Sequence, residues 1–159
     1  MPTTHGYEVS VRWTGNRGSG TRGHRDYGRS HEVEAPGRPA IAGSADPAFR
    51  GEADRWNPEQ MLVAALSQCH MLSYLYLAAV AGVVVTGYTD TAAGTMTVDP
   101  SGVGRFVDVV LRPVVAVAEP SMRDRAQALH QEAHAHCFIA QSVNFPVRHE
   151  PVARAASAE

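Results

Sequence analysis

Hydrophobic and polar positions repeat along this chain with two periods, and each period predicts a different kind of element. Residues 7–13 (YEVSVRW) alternate apolar and polar side chains, which is the two-residue period of a half-buried strand. The glycine-rich stretch TGNRGSGTRG then reads as a turn, and residues 26–34 (DYGRSHEVE) read as the returning strand. Residues 35–56 show no clear period and are rich in Pro and Gly. Ile41, Phe49 and Trp56 fall among them, so an ordered loop is expected rather than a disordered one.

From residue 57 the period changes to three and four. Asn57 suits an N-cap, Pro58 the first helical position, Glu59 the positive end of the helix dipole, and Gly82 a stop. Leu62, Leu66, Cys69, Leu72 and Tyr76 recur at helical steps and are expected to share one face. Almost nothing after Glu59 is charged, so burial on most sides is expected. Ser67, Gln68 and His70 interrupt the run, and on that ground no segment is expected to span a bilayer.

Residues 83–98 are rich in Val and Thr and read as strand, with Gly94 marking a bulge or bend. DPSGVG is a turn, and residues 105–117 alternate as the partner strand of a long antiparallel pair. A second helix starts at Glu119-Pro120-Ser121. Met122, Ala126, Leu129, Ala133 and His136/Cys137 form its apolar stripe, opposite Arg123, Arg125, Gln127 and Glu132. Residues 142–150 read as a short edge strand with Pro146 in it, and the tail from about residue 152 is expected to fray. This order predicts an α+β fold: antiparallel sheets with two long helices, in a single domain over residues 1–159. A helix apolar nearly all round needs cover, which a second subunit would supply.

Composition narrows the function classes. A net charge of -2 gives no basis for binding nucleic acid or an anionic membrane surface, and neither partner is expected. MPTTHGYEV lacks a signal-peptide pattern, so the cytoplasm is the expected location. All 14 basic residues are Arg, so every positive side chain is a planar fork with a permanent charge. Serine-hydrolase, phosphate-loop and dinucleotide motifs are absent, and no cofactor is expected.

Two constellations carry chemistry. The first is the pair Cys69 and Cys137, too far apart for a C-x-x-C motif. A buried helical cysteine is inert unless a cation stabilises its thiolate, and each pKa unit of lowering needs about 1.4 kcal/mol. An Arg held by Glu59 would supply that, although Glu59 itself lies almost three turns before Cys69, on an adjoining face. The second is the row His130, His134 and Cys137, with His136 close by. It reads either as a zinc or copper site or as a solvated histidine row. His70 points roughly a hundred degrees from Cys69 on an ideal helix, which suits packing or capping a groove.

The stretch NPEQMLVAALSQCH, followed by a second Cys late in a C-terminal helix, resembles the OsmC/Ohr family of peroxide reductases. Its residues here are Asn57, Pro58, Glu59, Gln60, Met61, Ala64, Ala65 and Cys69, and the resemblance extends over nearly the whole chain. It implies an intertwined α+β homodimer and a thiol-dependent peroxidase that reduces organic hydroperoxides to alcohols. Cys69 would be the peroxidatic thiol, passing through a sulfenate, and Cys137 the resolving thiol. Glu59 would orient an Arg, for which Arg50 ranks ahead of Arg17. A dithiol such as a lipoyl group would reset the disulfide. Phe49, Trp56, Leu62 and Phe138 are the apolar residues expected around the site. The sequence departs from the family at His70, where Phe is common, and at Phe138-Ile139-Ala140, where many members have Pro and then small residues. Its loop over residues 35–56 is also longer than in Ohr-like members. The alternative is a non-catalytic, stress-associated member that binds a small molecule or a metal.

Overall fold

A computed structural model describes residues 1–155. Contacts gather the chain into two compact units, Met1–Met61 and Leu62–Glu159.

The first unit is built on β1 (Ser10–Trp13), β2 (His31–Glu34) and β3 (Ile41–Gly43), antiparallel in that order. The predicted hairpin is present, with both strands shorter than their patterns. Gly28 N donates to Gly15 O at 2.8 Å, and Trp13 Nε1 donates to Gly28 O at 2.8 Å. A Cβ on Gly15 would stand 2.0 Å from Gly28 O, so only glycine fits this crossing. The unpatterned residues that follow are ordered, as expected. They hold β3 and a short 3-10 turn, Pro47–Phe49, capped by Asp46. Trp56 N donates to Ala42 O at 3.1 Å and Ser44 N to Trp56 O at 2.8 Å, closing the loop on itself.

Helix α1 (Pro58–Val80) starts in the first unit and continues in the second. Its start is a capping box. Gln60 N donates to Asn57 Oδ1 at 2.8 Å, and Gln60 Oε1 accepts from Asn57 N at 3.2 Å. Gly82, with φ 72, ends the helical run, and Val83 N donates back to Ala78 O at 2.9 Å. The buried stripe differs from the expected one. It runs Leu66, His70, Tyr74 and Ala78, whereas Leu72 and Tyr76 are 61% and 69% exposed. The face is therefore rotated, because His70 finds a polar partner inside and does not need water. By length and composition α1 is apolar enough to cross a membrane, contrary to the sequence expectation, and the burial expected on most sides is confined to one stripe, with 22% of the apolar window buried.

The expected long antiparallel pair exists but passes between two sheets. It consists of β4 (Val85–Asp90), β5 (Ala93–Val98), β6 (Gly104–Leu111) and β7 (Pro113–Val117), with β4 on β7 and β5 on β6. The break falls at residues 91–92 and at Arg112. Asp90 Oδ1 accepts from Arg112 N at 2.7 Å, and Oδ2 accepts from Ser67 Oγ at 2.5 Å, tying the bend to α1. The ladder irregularity lies between Thr95 and Met96, one residue beyond Gly94. Gly94 is glycine for another reason: a Cβ there would meet Phe106 at 2.7 Å and Val63 at 2.8 Å.

Helix α2 (Arg123–His136) follows a 3-10 turn, Pro120–Met122. It returns the chain so that β8 (Val147–His149) pairs parallel with β6, and β9 (Val152–Ala155) parallel with β7. Two sheets are therefore mixed rather than antiparallel, because a helix between strands allows a same-sense return. The α+β class stands. The tail expected to fray is strand β9 up to Ala155, and the remainder of that expectation lies outside the described residues. In the second unit Tyr74, Ala78, Val115, Val117, Ala126, Leu129 and Ala133 form the larger core. Leu66, Val109 and Leu111 anchor a smaller one, and full burial of each aliphatic side chain contributes roughly 1.5–3 kcal/mol.

Candidate functional site: a thiol pair backed by histidines

Cys69 and Cys137 are free and are neighbours. Cys69 sits on α1 at the border between the buried stripe and the open one, half-buried. Cys137 caps the C-terminus of α2, donating its backbone N–H to His134 O at 3.3 Å, and its residue is 1% exposed. Burial pushes the Cys137 thiol up to about 11. The backbone amide of Ala140 partly offsets this, while hydrogen bonding with Cys69 and the charge of Cys69 add to it. Cys137 is thus a protonated thiol at neutral pH. The seam is held by Ser73, one turn beyond Cys69, whose Oγ donates to His136 O at 3.3 Å.

A groove of about 320 Å³ opens beside this seam, lined by Leu72, Ser73, Tyr76, Leu77, His136 and Phe138. Phe138, one of the expected apolar site residues, is 80% exposed here, and Leu62 is half-buried on α1. Phe49 and Trp56 belong to the first unit and are about half exposed, at 46% and 52%.

Behind the thiols the histidines divide. His70 Nε2 and His130 Nδ1 share a hydrogen bond of 3.0 Å, and both residues are fully buried. Their rings stack at 9°, and Tyr74 stacks on His130 with centroids 4.1 Å apart. His149 lies 5.7 Å from the His70 ring and 5.4 Å from that of His134. Burial pulls His70 down to about 4 and His130 down to about 3, and the neighbouring histidines add to both shifts. His70 Nδ1 and His130 Nε2, the outer nitrogens of the pair, are buried without hydrogen-bond partners.

The row His130, His134 and Cys137 does not close into a metal site. His130 is turned into the core, and exposed His136 directs Nδ1 to Glu132 O at 2.8 Å. Among the described residues no group of three His, Cys, Asp or Glu side chains has the arrangement to hold a metal ion. The buried histidine pair was missed by sequence reasoning. Its one signal is position: His70 falls on the Leu66–Tyr74 stripe, and His130 sits beside Leu129 between Ala126 and Ala133.

The remaining expected residues lie in the first unit. Glu59 stands in the first turn of α1, and its Oε2 is buried without a hydrogen-bond partner. Arg50 is exposed and closes the 3-10 turn in the left-handed region at φ 68. Arg17 is exposed in the β1–β2 turn, with Nη2 3.6 Å from the point a Cβ on Gly28 would occupy and Glu52 Oε1 3.4 Å from that point. Among the described residues neither Arg is ion-paired with Glu59. Glu52 was not foreseen. The Ser44 hydroxyl bonds its carboxylate, accepts its N–H at 3.1 Å, and is the main reason the carboxyl is held below its usual range.

The family described as OsmC-like protein matches residues 51–151. A solved OsmC-like protein of unknown function from Vibrio cholerae is 32% identical, with a TM-score of 0.83, covering 94% of this chain and 100% of that one. An organic hydroperoxide resistance protein from Legionella pneumophila shares the fold at 17% identity and a TM-score of 0.70, over 96% and 98% of the two chains. Another from Bacillus subtilis does so at 18% and 0.60, over 94% and 98%. No curated protein matches the sequence.

Proposed function

The chain belongs to the OsmC-like protein family, and from that premise we propose that it is a thiol-dependent peroxidase that reduces organic hydroperoxides to alcohols. The observation that carries this reading is the meeting of Cys69 and Cys137, distant in sequence, as free thiols of unequal exposure. The more exposed Cys69 attacks the distal peroxide oxygen as thiolate. The O–O bond breaks, the alkoxide leaves and takes up a proton, and Cys69 becomes a sulfenic acid. The Cys137 sulfur then displaces the sulfenic oxygen as water and closes the disulfide. A dithiol reductant, for which a lipoyl group is a fitting chemistry, returns both thiols by two exchange steps and is itself oxidised.

Glu59 Oε2, a buried acceptor without a partner, suits a guanidinium that would stabilise thiolate and leaving oxygen. Arg50 is the first candidate and Arg17 the second. The groove from Leu72 to Phe138 suits the organic part of the peroxide better than hydrogen peroxide, which has no apolar part to bury. Organic hydroperoxide resistance proteins among the structural relatives support the same substrate class. Exposed Tyr7, Val9, Val11, Tyr76 and Val80 support a homodimer that covers them. The cytoplasm is the compartment in which two such thiols stay reduced.

The test is a free-thiol count and intact mass of reduced protein after one equivalent of cumene hydroperoxide, beside the same amount of hydrogen peroxide. The expected result is loss of both thiols and about two mass units per chain, faster with the organic peroxide. Unchanged thiols with either oxidant overturn the proposal.

A further inference from the structure

The buried histidine pair lies on the same two helices as the thiols. His70 follows Cys69 on α1, and His130 stands two turns before Cys137 on α2. Among the bonds that join these helices, beside Tyr74 OH to Ala126 O and Ser73 Oγ to His136 O, His70 Nε2 to His130 Nδ1 at 3.0 Å is the one made between two titratable side chains that are both fully buried. We propose that this pair is a proton-sensitive clamp that holds α1 to α2 and so keeps Cys69 in register with Cys137, making disulfide closure acid-sensitive. The inference rests on the proposed function for its meaning, because the step it regulates is the closing of that disulfide.

The hydrogen bond needs the pair to share a single inner proton. In the neutral pair one inner nitrogen donates and the other accepts. A first added proton charges a site with no water to solvate it. A second places two N–H groups face to face and removes the bond. The surroundings oppose both additions. His149 on β8 and His134 on α2 flank the pair, and each becomes a like charge on protonation. Tyr74 covers His130 and has its own hydroxyl committed to Ala126 O at 3.1 Å, while Tyr88 lies beyond it. Asp90, the acidic group acting on His70, already accepts from Ser67 Oγ and Arg112 N. The outer nitrogens, His70 Nδ1 and His130 Nε2, have no partner to stabilise an added proton. In keeping with this, both imidazoles resist protonation well below the usual histidine range.

The experiment uses 2,2′-dithiodipyridine, one equivalent per reduced chain, because it reacts with thiols in acid as well as at neutral pH. Attack by one thiol releases one thiopyridone and leaves a mixed disulfide. Attack on that by the second thiol releases another thiopyridone and closes Cys69–Cys137, so the second release times closure alone. The comparison is wild type against His70→Gln/His130→Asn, whose amides keep a hydrogen bond that does not titrate. Both are expected to slow about tenfold for each unit that pH falls, as the attacking thiolate thins out. As pH falls through about 4 toward about 3 the wild type is expected to slow a further tenfold or more while the variant keeps its slope. Equal slopes in both proteins overturn the clamp. If the variant does not fold, the imidazole nitrogen NMR signals of wild-type His70 and His130 decide. Their titration must coincide with the extra slowing, and titration near pH 6.5 without slowing overturns the clamp. No peroxide enters this assay, so closure here with inertness toward cumene hydroperoxide overturns the peroxidase and leaves the clamp standing.

Discussion

Helix α1 has two opposite faces in the second unit, and they are used differently. One carries Leu66, His70, Tyr74 and Ala78, all buried, each against a partner from α2 or a strand. The other carries Leu72, Tyr76 and Val80, each more than 60% exposed and as apolar as the first. Cys69, Ser73 and Leu77 run along the border, half-buried. Hydrophobicity alone therefore does not decide which face goes inside. The buried face is the one whose polar member finds a hydrogen bond, and the open face stays exposed in the single chain. The Cys69 thiol on the border has one side held and the other reachable.

Breaking the border has the largest expected effect. Cys69→Ser is expected to lower steady-state hydroperoxide turnover by about 1000-fold or more, since a hydroxyl is not ionised at neutral pH. Retention of full turnover would falsify the peroxidase reading. Cys137→Ser keeps the first step and accumulates a Cys69 sulfenic acid, read as one added oxygen by mass.

Next comes the buried face. Leu66→Ala is expected to cost about 2–5 kcal/mol in denaturant unfolding, for the transfer free energy and the cavity left behind. A loss under about 0.5 kcal/mol would mean that this face does not hold the unit together.

The histidines of the buried face give a pH effect whose sign is fixed. Their folded pKa values lie below the unfolded value, so the unfolded chain takes up protons first as pH falls. Stability is full above about pH 6.5 and is lost as pH falls toward about 4 for His70 and about 3 for His130. Between pH 6.5 and 5 the pair is expected to contribute a loss on the order of a few kcal/mol, with His149 adding in the same direction. Unfolding midpoints at those two pH values measure it, and a flat profile would contradict the buried neutral pair.

The open face gives the smallest effect. Tyr76→Ser is expected to leave the unfolding free energy of the isolated chain within about 0.5 kcal/mol. It is expected to raise KM for cumene hydroperoxide about 3–10-fold, with little change for hydrogen peroxide, through loss of one wall of the groove. A KM change shared equally by both peroxides would remove the groove as the site of discrimination.

Local pattern made much of this readable from the chain. Asn57, Pro58 and Gly82 mark the ends of α1 because caps act through neighbouring backbone, and the DPSGVG turn is where Asp99 and Gly102 place it. The stripe on α2 is clear at Ala126, Leu129 and Ala133, but it takes in His136, which is exposed, and leaves out His130, which is buried. Tertiary pairings were not local and were not readable. Nothing near His70 in sequence shows that His130 waits for it, so the sequence pattern leaves His70 off the stripe, packing or capping a groove, and the stripe is rotated accordingly. The same limit hid the parallel return of β8 and β9, and the meeting of Ser44 with Glu52. The thiol pair became readable only through the family motif, since the spacing of two cysteines does not bring them together.

The parallel pairing of β9 with β7 and of β8 with β6 also orders events during synthesis. Both inner strands, β6 and β7, are made well before the outer strands that complete their sheets. While residues 147–155 are still in the ribosome, two rows of backbone amides and carbonyls have no mate. The second unit is therefore finished by its last strands, and a nascent chain held just short of them presents two sheet edges to any strand that passes.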